Sequence, residues 1–383
     1  MEIRKLNAGD YDELLEMLNY TFGNKYGRKM DFVAEQPKMW VRSDEYMNKH
    51  IGVFEDGKLV SVLGIYPLPV KILGKDFLFM TTGNLATHPD YEGRGYFTKL
   101  FEMGMEELKK AGADVARLGG ARQRYGRFGF SQCSSLYYFV LNEQNCKRGL
   151  AGYGEGVEIK KIERNDTEIL KFCMDLCNSQ KFYVERYPVA NYRDVYTVMC
   201  SKESAPYVAI KDGKPIGYLC VYKDMAKLHE VRAISTDAYC DTLCAFRAFV
   251  GTQINVPVAP YNIPEFEIMS RVANEISVNS PSKFKIINFC GITDAFMKLK
   301  RTYANMPEGE LIMDIEDYGK IRIYSDATDS GCEMTDKAAD ITVNKDMATR
   351  IIFGFEFALT NNLPDFAKIW FPLPLSWDFM DYV

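Results

Sequence analysis

The sequence has no apolar segment long enough to cross a lipid bilayer. Its longest apolar stretch, residues 59–73, is interrupted by Pro67 and Pro69, whereas a membrane-spanning helix needs about 20 consecutive apolar residues. The first residues lead directly into a charged amphipathic segment, without the apolar core and cleavage site of a signal peptide. We therefore expect a cytoplasmic protein with no membrane contact.

Positive charge is also in short supply, because 47 lysines and arginines face 52 aspartates and glutamates. This balance argues against nucleic acid as a partner. Only three histidines occur, and the ten cysteines include no Cys-x-x-Cys pair. Cys173 with Cys177, and Cys240 with Cys244, have helical spacing and could supply four thiols to zinc. Buried free cysteines are much more common, and we expect no metal.

The length of 383 residues exceeds one ordinary domain, and the order of elements indicates an α/β (α+β) fold. Residues 51–67 are predicted to form a β-hairpin around Asp56 and Gly57, which favour the positive φ angles of a tight turn. Residues 207–223 repeat this pattern around a second Asp-Gly pair, about one domain length later. An internal duplication is therefore expected.

Other elements follow from the same patterns. Separate strands are expected at residues 70–73, 77–86, 285–290, 310–314, 320–324 and 340–344. Residues 346–357 are predicted to form a helix. The last stretch, residues 370–383, is rich in aromatic residues and proline, which is not the composition of a disordered end. We expect it to be docked against the rest of the protein.

The most informative segment is residues 84–100, in which Gly93 and Gly95 stand between a predicted strand and a predicted helix. Glycines at this point leave backbone N–H groups accessible, and the helix dipole adds about half a positive charge there. Such a loop suits a pyrophosphate group. The alternative is an ordinary glycine turn, which a lone Gly-x-Gly favours. The second hairpin copy is followed by no such loop, so we expect no ligand there.

The strand, the run from His88 to Gly95 and the following helix together resemble the coenzyme-binding motif of the GCN5-related N-acetyltransferases (GNAT). Two positions depart from the usual pattern: Glu92 replaces arginine or glutamine, and Phe97 replaces glycine or alanine. The resemblance implies acetyl-CoA as cosubstrate and no metal. The coenzyme-binding residues that it implies are Leu85, Ala86, Thr87, Gly93, Arg94, Gly95, Tyr96, Phe97, Gly120 and Ala121.

The whole chain resembles the enhanced-intracellular-survival (Eis) acetyltransferases within this superfamily, most specifically in residues 84–130. This resemblance implies tandem GNAT-fold domains with mixed central sheets. The catalytic copy is expected at residues 1–140, and a copy without a coenzyme site at residues 141–281. A sterol-carrier-protein-2-like α/β domain is expected at residues 282–383. Relatives assemble as hexamers, so a homo-oligomer is expected.

The motif Tyr-Gly-Arg-Phe-Gly-Phe at residues 125–130 is the strongest mark of the Eis family. Its tyrosine is the general acid there, which implies this role for Tyr125. A tyrosine hydroxyl has an acidity comparable to that of a thiol, so it can protonate the departing thiolate. The resemblance also implies that the terminal carboxylate, here of Val383, deprotonates the amine, with Asp381 as its rival. Backbone N–H groups at residues 85–87 are expected to stabilise the oxyanion.

The acceptor side is expected to carry acidic and aromatic side chains, which suit a cationic amine. The residues concerned are Tyr26, Asp31, Phe32, Glu35 and Trp40. The nearby Arg122 and Arg124 argue against a polycationic aminoglycoside. The expected reaction is direct transfer of acetyl, in a ternary complex, to a primary amine of a small molecule or peptide lysine. Two alternatives are an acyl-CoA sensor with a decayed site, which Glu92 favours, and a lipid-binding or acyl-chain-binding protein.

Overall fold

The described residues of this computed structural model are 1–189, 193–280, 282–354 and 363–382. The first strands and helices are β1 (Glu2–Lys5), α1 (Tyr11–Tyr26), α2 (Phe32–Glu35), α3 (Asp44–Met47), β2 (His50–Glu55), β3 (Lys58–Ile72), β4 (Lys75–Thr87), α4 (Tyr96–Lys110), β5 (Val115–Leu118), α5 (Arg122–Gly126), β6 (Ser131–Gln132) and β7 (Leu136–Leu141). The middle of the chain forms α6 (Glu143–Gly149), β8 (Val157–Lys161), α7 (Thr167–Asn178), β9 (Phe182–Val184), α8 (Val195–Met199), β10 (Ser204–Lys211), β11 (Lys214–Tyr222), β12 (Leu228–Ala233), α9 (Thr236–Val250), β13 (Ile254–Val258), α10 (Ile263–Val272) and β14 (Glu275–Asn279). The remaining elements are β15 (Lys283–Ile286), α11 (Phe289–Arg301), β16 (Gly309–Ile315), β17 (Gly319–Ser325), β18 (Ser330–Met334), β19 (Ile341–Val343), α12 (Lys345–Phe353) and α13 (Asp365–Trp370).

An eight-stranded sheet in the order β1-β2-β3-β4-β5-β15-β6, with β9 beside β3, forms the frame of the N-terminal part. Helix α4 packs on one face of this sheet and α1 on the other. Strands β4 and β5 run parallel, and β5 reaches only residues 79–82 of β4. Residues 83–87 of β4 therefore extend past the end of β5. We call the resulting gap the sheet opening.

A second set of strands repeats this arrangement. One sheet has the order β12-β11-β10-β8, and a neighbouring sheet has the order β13-β7-β14. Strand β7 lies between two strands of the later chain, whereas β15 lies between β5 and β6 of the first sheet. The two regions thus exchange one strand each. Strand β15, which comes from residues 282–383, belongs to the first sheet. The expected division at residues 140 and 281 stays a prediction.

Both expected hairpins and the mixed α/β fold class are confirmed. Asp56 and Gly57 have φ angles of 49° and 79°. Asp212 and Gly213 repeat these values closely, at 51° and 73°. Two successive positive φ angles give the turn whose twist matches that of the flanking strands, and Gly and Asp are the residues that adopt it at low cost.

The separate strand expected at residues 70–73 is wrong, because β3 continues through Pro67 and Pro69 to Ile72. The N–H of Ile65 points away from β4 and donates to the carbonyl of Lys49 at 2.8 Å. Strand N–H directions alternate, so the nitrogens of Pro67 and Pro69 lie on that same edge, beyond the end of β2. A missing N–H costs little at Pro67, which lies on this edge between the end of β2 and the start of the pairing with β9. At Pro69 the strand still pairs through the carbonyl, which accepts from the N–H of Glu185 at 2.9 Å.

Two other expectations need correction near the C-terminal end. The strand expected at residues 285–290 ends at Ile286, because the side chain of Asn288 accepts a hydrogen bond from the N–H of Gly291 and caps α11. Cys290 is therefore helical. The helix expected at residues 346–357 is α12, which ends at Phe353, and residues 355–357 lie outside the described part.

The C-terminal region has a four-stranded sheet in the order β18-β17-β16-β19, followed by α12, α13 and the tail. Docking of the tail is confirmed, since Trp370, Trp377 and Met380 are at most 2% exposed. Trp377 stacks on Phe79 of β4 at 5.6 Å between ring centroids. The tail thus shares a core with the first sheet. Within the described residues, no helix has the length and apolar character needed to cross a membrane.

Ion pairs buried between the tail and the second set of strands form a group that we call the tail ion cluster. It consists of Arg186, Arg193, Glu230, Arg232, Asp378 and Asp381. Arg186 lies 2.8 Å from Glu230 and 3.6 Å from Asp381, and Arg193 lies 3.1 Å from Asp381. Arg232 pairs with Asp378. Burial raises the pKa of Asp378 to about 6, although the Arg232 guanidinium opposes this shift.

Stability is expected to fall when the pH drops below neutrality. Burial lowers the pKa of His50 and of His229 to about 4, against about 6.5 in an unfolded chain. The unfolded chain therefore binds more protons between these values, and folding is penalised as the pH falls through this window. The raised pKa of Asp378 favours folding as the pH falls. This single group offsets only part of the effect of the two histidines.

We expect the free energy of unfolding in urea to be smaller at about pH 4.5 than at pH 7 by roughly 2–3 kcal/mol. The substitution His229→Gln should reduce this difference, and His88→Gln, at a less buried histidine, should leave it unchanged. An equal difference in the wild type and in His229→Gln would show that His229 does not contribute.

Candidate active site

The glycine loop lies at the N-terminus of α4. Gly93 and Gly95 have φ angles of 77° and 80°. Gly95 is the N-cap of α4, no side chain caps this helix, and its first turn contains no acidic residue. A Cβ atom built on either glycine would meet nothing within 4 Å. The loop therefore presents open backbone N–H groups at the positive end of a helix dipole, as anion binding requires.

A cleft of about 690 Å³ lies in front of this loop. Its walls come from α1, the end of β4, the glycine loop, the start of α4, and α5 with the residue before it. The lining residues are Thr21, Phe22, Lys25, Leu85, Ala86, Thr87, Tyr91, Glu92, Gly93, Arg94, Gly95, Tyr96, Phe97, Ala121, Gln123, Arg124 and Arg127. Four of these side chains are cationic and one is acidic. The cleft is therefore electropositive and suits a ligand with several phosphate groups.

The two charged side chains of the loop have different surroundings. Arg94 pairs with Glu55 at 2.8 Å and lies over the ring of Tyr91 at 4.6 Å. Glu92, the departure from the usual motif, is exposed. Its charge is therefore solvated, and it need not lie against a bound phosphate.

The end of β4 forms the inner wall of the cleft, at the sheet opening. The N–H of His88 donates to the carbonyl of Val60 at 2.8 Å, and the carbonyl of Ala86 accepts from Ser61. Because strand directions alternate, the N–H groups of Leu85 and Thr87 point to the other side, away from β3. These two groups therefore lie at the sheet opening, where a carbonyl group can be bound.

Tyr125 lies on α5, against the start of α4. Its ring centroid is 6.0 Å from that of Phe97 and 5.4 Å from that of Phe101. Gly120 lies directly beneath the ring, since a Cβ atom there would come within 2.8 Å of Tyr125 Cε2. Burial raises the pKa of Tyr125, and the nearby Arg124 opposes the shift. The hydroxyl is therefore protonated at neutral pH and can donate a proton.

None of the five residues expected on the acceptor side lines this cleft. Phe32 and Trp40 are buried, and the indole Nε1 of Trp40 donates to the carbonyl of Phe32 at 2.6 Å. Asp31 caps α2 by accepting from the N–H of Ala34. These three residues therefore have structural contacts that sequence patterns alone did not reveal.

The other two expected residues are more accessible. Tyr26 is 55% exposed and close enough to Tyr125 for its charge to affect the pKa of that residue. Glu35 pairs with Arg28 at 2.8 Å, and its backbone carbonyl accepts from the N–H of Lys202. Their role in acceptor binding stays a prediction.

Of the two candidate bases at the C-terminal end, the structure describes only Asp381. Val383 lies outside the described residues. Its neighbour Tyr382 lies under the guanidinium of Arg117 on β5, at 3.8 Å from the ring centroid, and accepts a hydrogen bond from Ser282. The carboxylate of Asp381 contacts two arginines of the tail ion cluster and is 2% exposed. These contacts give Asp381 a structural role.

Several cleft residues were not predicted from the sequence. Thr21, Phe22 and Lys25 come from the last turns of α1, and Arg127 comes from the loop after α5. The spacing of Phe22 and Lys25 indicates one helix face, but it does not show which face meets the glycine loop. Arg127 stands inside the Tyr125 motif and could have been found there.

This geometry agrees with the comparison to known proteins. Residues 2–133 match the family model of the acetyltransferase (GNAT) domain. A GCN5-related N-acetyltransferase from Kribbella flavida shares the fold with a TM-score of 0.68 at 15% identity, over 100% of this chain and 98% of that chain. No curated protein matches the sequence.

Two other solved structures extend the fold comparison. Eis1 from Mycobacterium abscessus has a TM-score of 0.64 at 12% identity, over 99% of this chain and 98% of that chain. A probable N-acyltransferase from Enterococcus faecalis has a TM-score of 0.62 at 13% identity, over 91% and 88%. At such identities the likeness establishes a common fold. The sterol-carrier-like nature of the C-terminal region stays a prediction.

Proposed function

We propose that this protein is an N-acetyltransferase that transfers acetyl from acetyl-CoA to a primary amine of a small molecule or a peptide lysine. The observation that carries the proposal is the uncapped glycine loop beside the sheet opening, within a GNAT domain. A loop that only turned the chain would not need a cationic cleft in front of it.

The cleft offers a suitable group for each part of acetyl-CoA. The N–H groups around Gly93 and Gly95 would hold the pyrophosphate. Lys25, Arg124 and Arg127 would contact the phosphates as cations. The N–H groups at the end of β4 would bind the pantetheine arm and the thioester carbonyl, and would stabilise negative charge on its oxygen during the reaction.

In the proposed reaction the neutral amine attacks the thioester carbon directly, in a ternary complex. A C–N bond forms, the C–S bond breaks, and the electron pair of that bond leaves with sulfur. Tyr125 gives its proton to the thiolate, and the proton that the amine loses passes to a base. We propose the terminal carboxylate of Val383 for this role. Asp381 is the weaker candidate, because both its oxygens contact arginines.

The second set of strands is proposed to lack a coenzyme site. Its counterpart of α4 is α9. The N-cap of α9 is Ser235, whose side chain accepts from the N–H of Ala238 at 3.1 Å. A capped helix without a glycine loop has fewer free N–H groups for a phosphate. Assembly as a homo-oligomer, hexameric in the Eis family, stays a prediction.

The proposal is tested by titration calorimetry with acetyl-CoA and by CoA release with a panel of aminoglycosides, polyamines and lysine peptides. We expect binding, and turnover with at least one amine. Deletion of Val383 alone should lower turnover while acetyl-CoA binding persists. A protein that does not bind acetyl-CoA would contradict the proposal. Binding without transfer to any amine would instead support an acyl-CoA sensor.

Gly95→Ala is expected to weaken acetyl-CoA binding by about 10-fold or more. Alanine is strained at a φ angle of 80°, and its methyl group would stand where the pyrophosphate approaches. The matched control is Gly112→Ala at the other end of α4, where φ is 71° and a Cβ also meets nothing within 4 Å. Both variants carry similar strain, so equal losses of affinity in calorimetry would show that the loop is not the phosphate site.

A further inference from the structure

A chain of three polar side chains lies behind the sheet opening. The imidazole Nδ1 of His50 is 3.2 Å from the carbonyl oxygen of Met47, and its Nε2 is 2.7 Å from the hydroxyl of Tyr66. That hydroxyl is 2.5 Å from Nδ2 of Asn84. His50 and Tyr66 are fully buried, whereas Asn84 is half-buried. The chain therefore runs from the core to the end of β4.

The direction of each hydrogen bond in this chain follows from its first member. A carbonyl oxygen only accepts, so Nδ1 of His50 carries a proton. Burial keeps the pKa of His50 at about 4, so the ring is neutral and Nε2 accepts from Tyr66. The Tyr66 oxygen then accepts from Asn84. This contact fixes the carboxamide of Asn84 with its nitrogen toward the core and leaves Oδ1 for another partner.

Asn84 occupies a special position on β4. Its φ angle is 52°, and it immediately precedes Leu85, which lines the cleft. No residue of the described part donates a hydrogen bond to its Oδ1. Asparagine is common at positive φ for local reasons alone. A buried histidine and tyrosine that orient its side chain are not required for that purpose.

We propose that Oδ1 of Asn84 accepts a hydrogen bond from the attacking amine and selects primary amines; this inference rests on the proposed function. A neutral primary amine has two N–H groups, one for Oδ1 and one to be removed by the base. A secondary amine has only one and cannot serve both. The amine nitrogen becomes positive during attack, so the hydrogen bond strengthens in the transition state. His50 and Tyr66 are positioning residues for Asn84.

The decisive variant is Asn84→Gly, because glycine adopts the φ angle of 52° without strain and removes only the carboxamide. The probes are hydroxylamine and N-methylhydroxylamine, a primary and a secondary amine that are small and neutral at pH 7. With acetyl-CoA as donor, we expect kcat/KM for hydroxylamine to fall about 10- to 100-fold. The KM for acetyl-CoA should stay within about twofold, and the preference for hydroxylamine over its N-methyl form should shrink. Asn274→Gly, at an exposed asparagine, is the control.

Each outcome of this experiment decides the inference. Unchanged kcat/KM for hydroxylamine in Asn84→Gly would mean that Asn84 only allows the positive φ angle at this position. This result would overturn the inference. Loss of acetyl-CoA affinity together with turnover would also overturn it, since the defect would then lie in the cleft. A wild type that fails to bind acetyl-CoA would refute the proposed function itself, and with it this inference.

A second measurement needs no variant. Long-range ¹H–¹⁵N spectra of imidazole-labelled protein should show His50 protonated at Nδ1 and unprotonated at Nε2 between about pH 6 and 8. In Tyr66→Phe we expect the same tautomer but a loss of hydroxylamine turnover, because the carboxamide of Asn84 can then rotate. The opposite tautomer in the wild type would overturn the inference.

Discussion

Tyr125→Phe is expected to lower the turnover number for acetyl transfer by about 100-fold or more, which is a typical contribution of a general acid. The departing thiolate would have to take its proton from water. Acetyl-CoA affinity should change less than about twofold, because phenylalanine retains the ring contacts with Phe97 and Phe101. Pre-steady-state CoA release at saturating acetyl-CoA, combined with calorimetry, separates the two effects.

Tyr183→Phe provides the matched control for this substitution. Tyr183 lies on β9, at the far side of β3 from β4. Its substitution should leave both turnover and affinity unchanged. If Tyr125→Phe keeps wild-type turnover, Tyr125 packs against α4 without donating a proton. If the affinity for acetyl-CoA falls as far as turnover does, Tyr125 supports the shape of the cleft and another group donates the proton.

Arg186→Met is expected to reduce the free energy of unfolding by about 3–5 kcal/mol, the usual cost of leaving buried charges without their partner. Arg186 lies 2.8 Å from Glu230 and 3.6 Å from Asp381, and all three side chains are buried. Tyr218, which donates to Glu230 at 2.5 Å, cannot replace a full charge. Urea unfolding monitored by tryptophan fluorescence measures this loss, because Trp377 belongs to the docked tail.

Arg164→Met is the control, because Arg164 pairs with Asp194 at a similar distance but is 47% exposed. The carboxylate of Asp194 is buried, but it also accepts a hydrogen bond from the N–H of Thr197 at 2.7 Å. We therefore expect Arg164→Met to cost less stability than Arg186→Met. Addition of Glu230→Gln to Arg186→Met should restore part of the lost stability, since one uncompensated charge disappears. Equal effects of the two arginine substitutions would show that burial does not set the strength of the tail ion cluster.

Local patterns identified those parts of the candidate site that depend on neighbours in sequence. The glycine loop, both Asp-Gly hairpins and the helix after Gly95 were all predicted from short segments, because turn geometry depends on a few φ angles. The strand limits near Pro67 and Pro69 were missed for a related reason. Whether a proline fits a strand depends on which edge lacks a partner, and the partner is remote in sequence.

The expected acceptor side shows what composition leaves open. Phe32 and Trp40 have the residue types expected at a binding surface for a cationic amine, and they also pack against each other in the core. Their role in acceptor binding stays a prediction. Aromatic residues serve both purposes, and composition does not distinguish them. Lys25 faces the cleft because the opposite side chains of α1 pack on the sheet. The sequence alone does not show which side of α1 meets the cleft.

The sequence by itself determined the glycine loop before α4, the two hairpins, the motif around Tyr125 and the expectation of a docked tail. These features depend on positive φ angles, on exposed N–H groups at a helix end and on local composition. Only the tertiary structure decided that β7 and β15 exchange places, that the tail ion cluster is buried, and that His50 orients Asn84 through Tyr66. Each of these joins residues that are distant along the chain, and their positions follow from packing and strand pairing across the whole fold.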